Sequence, residues 1–284
     1  MVGTLTLYIL VLAFTAVLPA QERAFDPQVE LCKLIVSTDT FDYTEDHLRK
    51  VKTLVEHHGA NPAKKCGDNF NPYLLPHYVF QLIAPKSEMT PLNLAAAKGI
   101  IPFLKYFTEE LKINPNTGMG TLGGSPILYS SIQCRPKATE YLLEKGAKVY
   151  NTTWYPLESI TSLLYVKNRL EYLRSMDKYR KTGDEKAKND AKIWKYALKN
   201  CYDTIEILLK YGADPNYIPE VPESSEMHGS TLLHYAAISG FLELYDLLVK
   251  YGAYEGAKNS RRQTPKELLR MYGRQGIRIT FDQD

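Results

Sequence analysis

Apolar residues in this chain come in short bursts punctuated by glycine. Thr231-Leu232-Leu233-His234-Tyr235-Ala236-Ala237-Ile238-Ser239-Gly240 runs into Leu244-Tyr245-Asp246-Leu247-Leu248-Val249-Lys250-Tyr251-Gly252-Ala253. Leu233, Ala236 and Ala237, then Leu244, Leu247 and Leu248, follow the three-to-four spacing of a helix with one apolar face. Gly240 and Gly252-Ala253 read as helix stops, because glycine accepts a left-handed helix end without strain.

The burst recurs upstream. Thr90-Pro91-Leu92-Asn93-Leu94-Ala95-Ala96-Ala97-Lys98-Gly99 repeats it closely. Ser125-Pro126-Ile127-Leu128-Tyr129-Ser130-Ser131 repeats it and reaches Leu142-Leu143-Glu144-Lys145-Gly146-Ala147 at the same distance. Tyr155-Pro156-Leu157 is a weaker start, and Thr264-Pro265 opens a last one. The stretch from Ala191 begins without the pattern but ends in Ile207-Leu208-Leu209-Lys210-Tyr211-Gly212-Ala213-Asp214-Pro215-Asn216. Starts at 90, 125, 155, 191, 231 and 264 are therefore spaced by 30 to 40 residues. The longest gap holds Tyr217 to His228, whose Pro, Glu and Ser predict a surface loop.

Each repeated residue has a physical task. Thr or Ser caps the first helix, and Pro at its first position lacks a donor that the helix could not use. Paired small residues let neighbouring helices approach closely, and the Leu-Leu pair buries against the next unit. Gly146, Gly212 and Gly252 stand where a helix ends in a left-handed residue. Asn200 occupies the place of Gly99 and Gly240 and is the next most tolerant residue there, whereas Cys134, at the same place, fits less well.

These segments resemble the ankyrin repeat, whose period is 33 residues, over roughly residues 45 to 275. The resemblance implies an all-α solenoid of six to seven helix-turn-helix units with short fingers. Such units bury their apolar faces only by stacking. Val51, Leu54 and Val55 before Gly59-Ala60-Asn61-Pro62 look like a second helix, with Leu31 to Val36 as its partner. Residues 21–89 are expected to form a divergent capping region and 90–284 the repeats.

Leu5 to Ala20 carries no charge. Pro19-Ala20 offers a small residue before Gln21, so residues 1–20 read as a secretory signal peptide. An uncleaved anchor and an ordinary buried helix are the other readings, although the run is short for a membrane span of about 20 residues. The expected location is the secretory lumen or outside the cell, with a membrane-anchored or cytoplasmic chain as the alternative. Asn151-Thr152-Thr153 is a glycosylation sequon on a finger. Composition is that of an ordinary soluble protein, and a net charge of +3 gives no general attraction to nucleic acid. The mixed run Lys178 to Lys192 reads as a solvated face.

Four cysteines permit disulfides in an oxidising compartment. Ankyrin spacing puts Cys134 and Cys201 two units apart, roughly 20 Å by helix-layer distances. A disulfide needs Cα atoms within about 7 Å. The expectation is that these two are free, and that only Cys32 with Cys66, in the cap, can pair.

No phosphate loop, paired-cysteine zinc spacing or nucleophile elbow occurs in the sequence. His57 and His58 sit at a helix end, where the dipole favours them without a metal. The family resemblance gives His234 a structural hydrogen bond near the turn. No cofactor, metal or reaction is expected. The resemblance implies protein binding through the concave surface by a monomer. It assigns partner contacts to Met89, Trp154, Ser230, Arg261 and Arg262 on the fingers, and to Lys98, Ile132, Gln133, Leu198, Lys199 and Ile238 on the helices. Ile132, Leu198 and Ile238 would form an exposed apolar stripe unless neighbours cover them. A secreted toxin-like effector that occupies a host protein, and an enzyme on a repeat scaffold, are the competing readings.

Overall fold

The computed structural model describes residues 25–67, 89–117, 124–149, 156–157, 164–272 and 277–281. The regular elements among the described residues are all helices, with no strand. In chain order the helices are α1 (Pro27–Ser37), α2 (Glu45–Glu56), α3 (Pro91–Lys98), α4 (Ile101–Lys105, continued as a π-turn over Tyr106–Glu110), α5 (Pro126–Ile132) and α6 (Pro136–Glu144). They continue with α7 (Leu164–Thr182), α8 (Glu185–Lys210), α9 (Leu232–Ile238), α10 (Leu242–Lys250) and α11 (Pro265–Tyr272).

The short helices start as the sequence predicts. Thr90 Oγ1 accepts from Asn93 N at 3.1 Å and caps α3, with Pro91 at the first helical position. Thr264 and Glu267 bond each other reciprocally at the start of α11. Ser125 precedes α5 without a side-chain cap, and its buried hydroxyl has no hydrogen-bond partner among the described residues. Second helices stop at Gly146, Gly212 and Gly252, whose φ angles of 88°, 92° and 95° a residue with a Cβ rarely adopts.

First helices stack on one another: α1 on α3, α3 on α5, and α9 on α11. Ala95, Ala96, Ser130, Ser131, Ala236 and Ala237 are all fully buried, as close stacking demands. The next layer is tied in at the fingers. Asn116 Nδ2 donates to Gly146 O (3.0 Å) while its Oδ1 accepts from Lys148 N (2.9 Å). Asn216 repeats this with Gly252 O and Tyr254 N. The two asparagines sit in Asn114-Pro115-Asn116 and Asp214-Pro215-Asn216, so one short motif fixes the register of two separate unit pairs.

Two expectations fail. No helix pair begins near 191. Glu185–Lys210 is a single helix of 26 residues, and Asn200 lies inside it rather than at a turn. The segment contains neither Gly nor Pro, and an interior Asn costs a helix only a few tenths of a kcal/mol relative to most residues. Nothing local therefore forces the break that Gly240 and Cys134 impose elsewhere. Cys134 takes φ 51°, the left-handed turn its position requires, although it is not glycine.

The second failure follows from the first. Cys134 and Cys201 are not free: they form a disulfide with Cα atoms 4.4 Å apart. The 20 Å expectation assumed an intervening unit starting at 155. Instead α8 packs directly on α6 and α5, so Cys201 lies against the α5–α6 turn. Cys32 and Cys66 form a second disulfide in the cap, Cα to Cα 5.9 Å.

Candidate functional site

The turns between first and second helices lie along one edge of the stack and are bonded to one another. Lys98 Nζ donates to Val36 O (2.9 Å) and pairs with Asp39 (2.6 Å), tying α3 to the α1–α2 turn. Arg135 Nε donates to Ala97 O at 3.0 Å, and its stem crosses Gly99, where an added Cβ would come within 3.2 Å of Arg135 Cδ. Gly99 thus serves both the left-handed turn (φ 77°) and the close approach.

Beyond the disulfide the edge continues through a buried polar cluster. Arg169 of α7 pairs with Glu243 of α10 (2.9 Å) while both side chains are about 95% buried. Tyr165 donates to the same carboxylate at 2.8 Å. Arg169 also donates to Gly240 O (3.1 Å) and to Ile277 O, and covers the Phe241 ring at 4.6 Å. Burial, with the Glu243 carboxylate beside it, pushes the Tyr165 hydroxyl well above its usual range. Asn168 donates to Cys201 Sγ at 3.3 Å. The C-terminal segment closes over this cluster: Ile279 is buried, Arg278 pairs with Asp246, and Phe281 meets Tyr202 at 4.8 Å.

His234 is fully buried. The backbone N–H of Thr231 donates to its Nδ1 (3.0 Å), which fixes the proton on Nε2, and Nε2 donates to Gln263 O (3.0 Å). Burial lowers its pKa, partly opposed by the hydrogen bonds to the Gln263 and Ala257 backbone. This histidine links one unit to the next finger and reaches no solvent.

The residues named from the family pattern scatter in their environments. Met89 and Ser230 are buried, Met89 O accepting from Cys66 N and Ser230 from Asn259. Lys98 is clasped as described, and Gln133 is buried with its amide nitrogen unpartnered among the described residues. The exposed apolar stripe is corrected outright: Ile132 and Leu198 are fully buried and Ile238 is half-buried against the core. Adjacent helices pack over positions that a regular groove would leave open. Lys199 is half-exposed and pairs with Asp203 at 2.7 Å. Arg261 and Arg262 are exposed, and Arg261 reaches Glu226 across the insertion loop. Trp154, Asn151 and residues 1–20 lie outside the described residues.

Sequence reasoning missed the exposed edge of α8. Ile193 and Tyr196 are each 64% exposed. Their signal was two apolar residues three apart within a lysine-rich run. An open groove of about 790 Å³ also lies between α1 and α2, lined by Phe25, Leu34, Val36, Leu54 and polar neighbours. Among the described residues no group of three His, Cys, Asp or Glu is arranged to hold a metal, and no helix is long and apolar enough to cross a membrane.

Residues 228–260 match the Ankyrin repeat family model. The match covers Thr231–Gly252 and the finger after it, which is the unit with the reciprocal Thr231–His234 cap. A stretch of 185 residues, 65% of this chain, is 28% identical to Alpha-latrotoxin-Lg1a of Latrodectus geometricus. That stretch is 13% of the relative's own length. Ankyrin character is thus supported in one unit, within a chain whose described regular elements are all helices that pair and stack.

Proposed function

We propose that this chain is a non-catalytic, monomeric protein-binding module that works in an oxidising, extracellular setting. The observation that carries the reading is the repeated helix pair, capped by Thr, turned at a left-handed residue and stacked through small side chains, with one copy matching the ankyrin family. The polar groups that a reaction would use are instead spent on packing, as His234 and the Arg169–Glu243 pair illustrate. Two disulfides support the compartment, and removal of residues 1–20 as a signal peptide fits it. Trp154, Arg261 and Arg262 remain proposed contacts on the fingers.

A second reading has its own support. The relative named as a toxin, similar over 185 residues, favours a secreted effector that occupies a protein of another organism. Both readings share one test. The chain beginning at Gln21 is used for affinity capture from extracellular and membrane extracts, and each captured protein is then purified and titrated against it. A saturable complex with no chemical change in the captured protein is expected. Covalent change or turnover of that protein would overturn the binding reading.

A further inference from the structure

The edge of the stack is level with Cys201, because Cys134 at the α5–α6 turn is bonded to it. Most of α8 before that point, up to the buried Leu198, runs past the edge. Sixteen residues, Glu185 to Asn200, amount to about 24 Å of helix. Only Ala187, Ala191 and Leu198 in this stretch are buried, at helical spacing; Leu198 joins the main core and the two alanines do not. Helices α7 and α8 therefore project together as an antiparallel arm that packs chiefly on itself.

The arm is charged unlike the rest of the chain. Residues 164–200 hold eleven Lys and Arg against five Asp and Glu, a surplus of six, while the whole chain has a surplus of three. The remainder is thus net acidic. Several arm cations have partners, as in Arg174–Glu171, Lys181–Asp177 and Lys178–Asp184. Arg180, Lys186 and Lys192 make no ion pair among the described residues.

One face of α8 adds apolar anchors. Ile193 and Tyr196 are three apart and each 64% exposed, and Lys186 and Lys192 lie to either side of them by helical angle. An exposed isoleucine and tyrosine adjacent on a helix form a seam that water solvates poorly, and Tyr is enriched among residues that carry binding energy. Arg135 stands beside the foot of this stretch, next to Cys134, which is bonded to Cys201 of α8. Among the described residues only its Nε is bonded, so both terminal nitrogens are left without a hydrogen-bond acceptor there. Burial lowers its pKa, opposed by the Asp39 carboxylate. Asp39 is itself paired with Lys98. A half-buried guanidinium with a free planar fork is suited to a carboxylate, which it can bind through two parallel hydrogen bonds.

We infer that the Ile193–Tyr196 face of α8, with Arg135 beside the foot of that stretch, docks an acidic amphipathic segment of a partner protein. Apolar side chains of that segment cover Ile193 and Tyr196, and a carboxylate meets Arg135. The surface lies on the projecting arm rather than in the concave groove. The inference rests on the protein-binding reading and names its surface and the chemistry of its partner. Charge complementarity selects the acid, and the apolar pair selects a folded or folding segment over a plain polyanion.

The test pans a random dodecapeptide library displayed on phage against the full disulfide-bonded chain. The I193S/Y196S double variant and the Arg135→Ala variant are used in parallel. Ile193 and Tyr196 are exposed, so the double variant should keep its thermal midpoint. Selected peptides are expected to be rich in Asp or Glu beside Leu, Ile or Phe. Their affinity should fall tenfold or more in each variant and should weaken with added salt. Peptides that bind both variants as well as the parent would place recognition elsewhere and overturn this inference, leaving the binding reading intact. Peptides without acidic enrichment would also overturn it. Selection of no peptide would count against the protein-binding reading itself. Binding to phosphatidylcholine vesicles containing 30 mole per cent phosphatidylserine, lost in the double variant, would replace the protein partner with a lipid surface.

Discussion

The unit at 231–253 and the segment at 185–213 end alike and begin differently. Both finish in Leu-Leu, a tyrosine and Gly-Ala, with the glycine left-handed. In the first, Gly240 breaks the chain into α9 and α10. In the second, Asn200 stands at the same place and α8 runs straight through. One residue's tolerance for the turn decides whether ten residues fold back as a first helix or carry on as a projecting arm. The stack then has to be closed differently on the two sides. The regular unit closes with His234 and the Asn216 finger bridge, and the irregular one with a disulfide and a buried ion pair.

The largest effect should come from that ion pair. Glu243→Ala leaves Arg169 buried without its counter-charge, which costs about 3–5 kcal/mol in such settings. Urea unfolding should show the loss, and the Tyr165 and Ile279 contacts should loosen with it. A change below 1 kcal/mol would mean that the arm is not anchored through Glu243.

Replacing Cys134 and Cys201 together with Ser should cost somewhat less, about 2–4 kcal/mol by loop-closure reasoning. The same replacement should increase amide exchange in α8 near Cys201 more than in α9. Equal exchange in both would show that the disulfide does not join the two regions.

The comparison also marks what was legible. Thr90, Pro91, Gly146, Gly212, Gly252 and the Thr231–His234 cap work through local backbone geometry, and local geometry is written in a few adjacent residues. The continuity of α8 was not legible, because an Asn in the place of a glycine is compatible with either a turn or a helix interior. The Cys134–Cys201 bond depended on that decision. Counting units by spacing kept the two cysteines two layers apart, whereas α8 packs directly on α6 and α5. The burial of Met89, Ile132 and Leu198 was hidden for a related reason. Exposure on a repeat surface depends on what the next element covers, and the next element was irregular. Ile193 and Tyr196 sit in a stretch that reads as a solvated charged face, and only the projection of the arm gives them meaning.

A smaller effect tests the break itself. Asn200→Gly should destabilise the chain by about 0.5 kcal/mol, the helix-interior preference for Asn over Gly. Helical content by circular dichroism should fall slightly. A gain in stability would mean that the position favours a turn after all.

The smallest effect is expected from pH. Burial lowers the His234 pKa below its unfolded value of about 6.5, so the unfolded chain binds the proton more readily than the folded one. The neutral histidine's contribution is complete above that unfolded value and declines as pH falls below it. Midpoints measured from pH 7.5 down to 5 should drift downward, and a His234→Gln variant should show a shallower drift. An equal slope in both would remove His234 from the account.

The most direct test of the central claim, a stack in which α8 packs straight onto the α5–α6 turn in an oxidising compartment, is a non-reducing peptide map of the protein from its native source. The account predicts two linkages, Cys32–Cys66 and Cys134–Cys201, and no free thiol. Alkylatable Cys134 and Cys201, or a crossed pairing of either with Cys32 or Cys66, would contradict it.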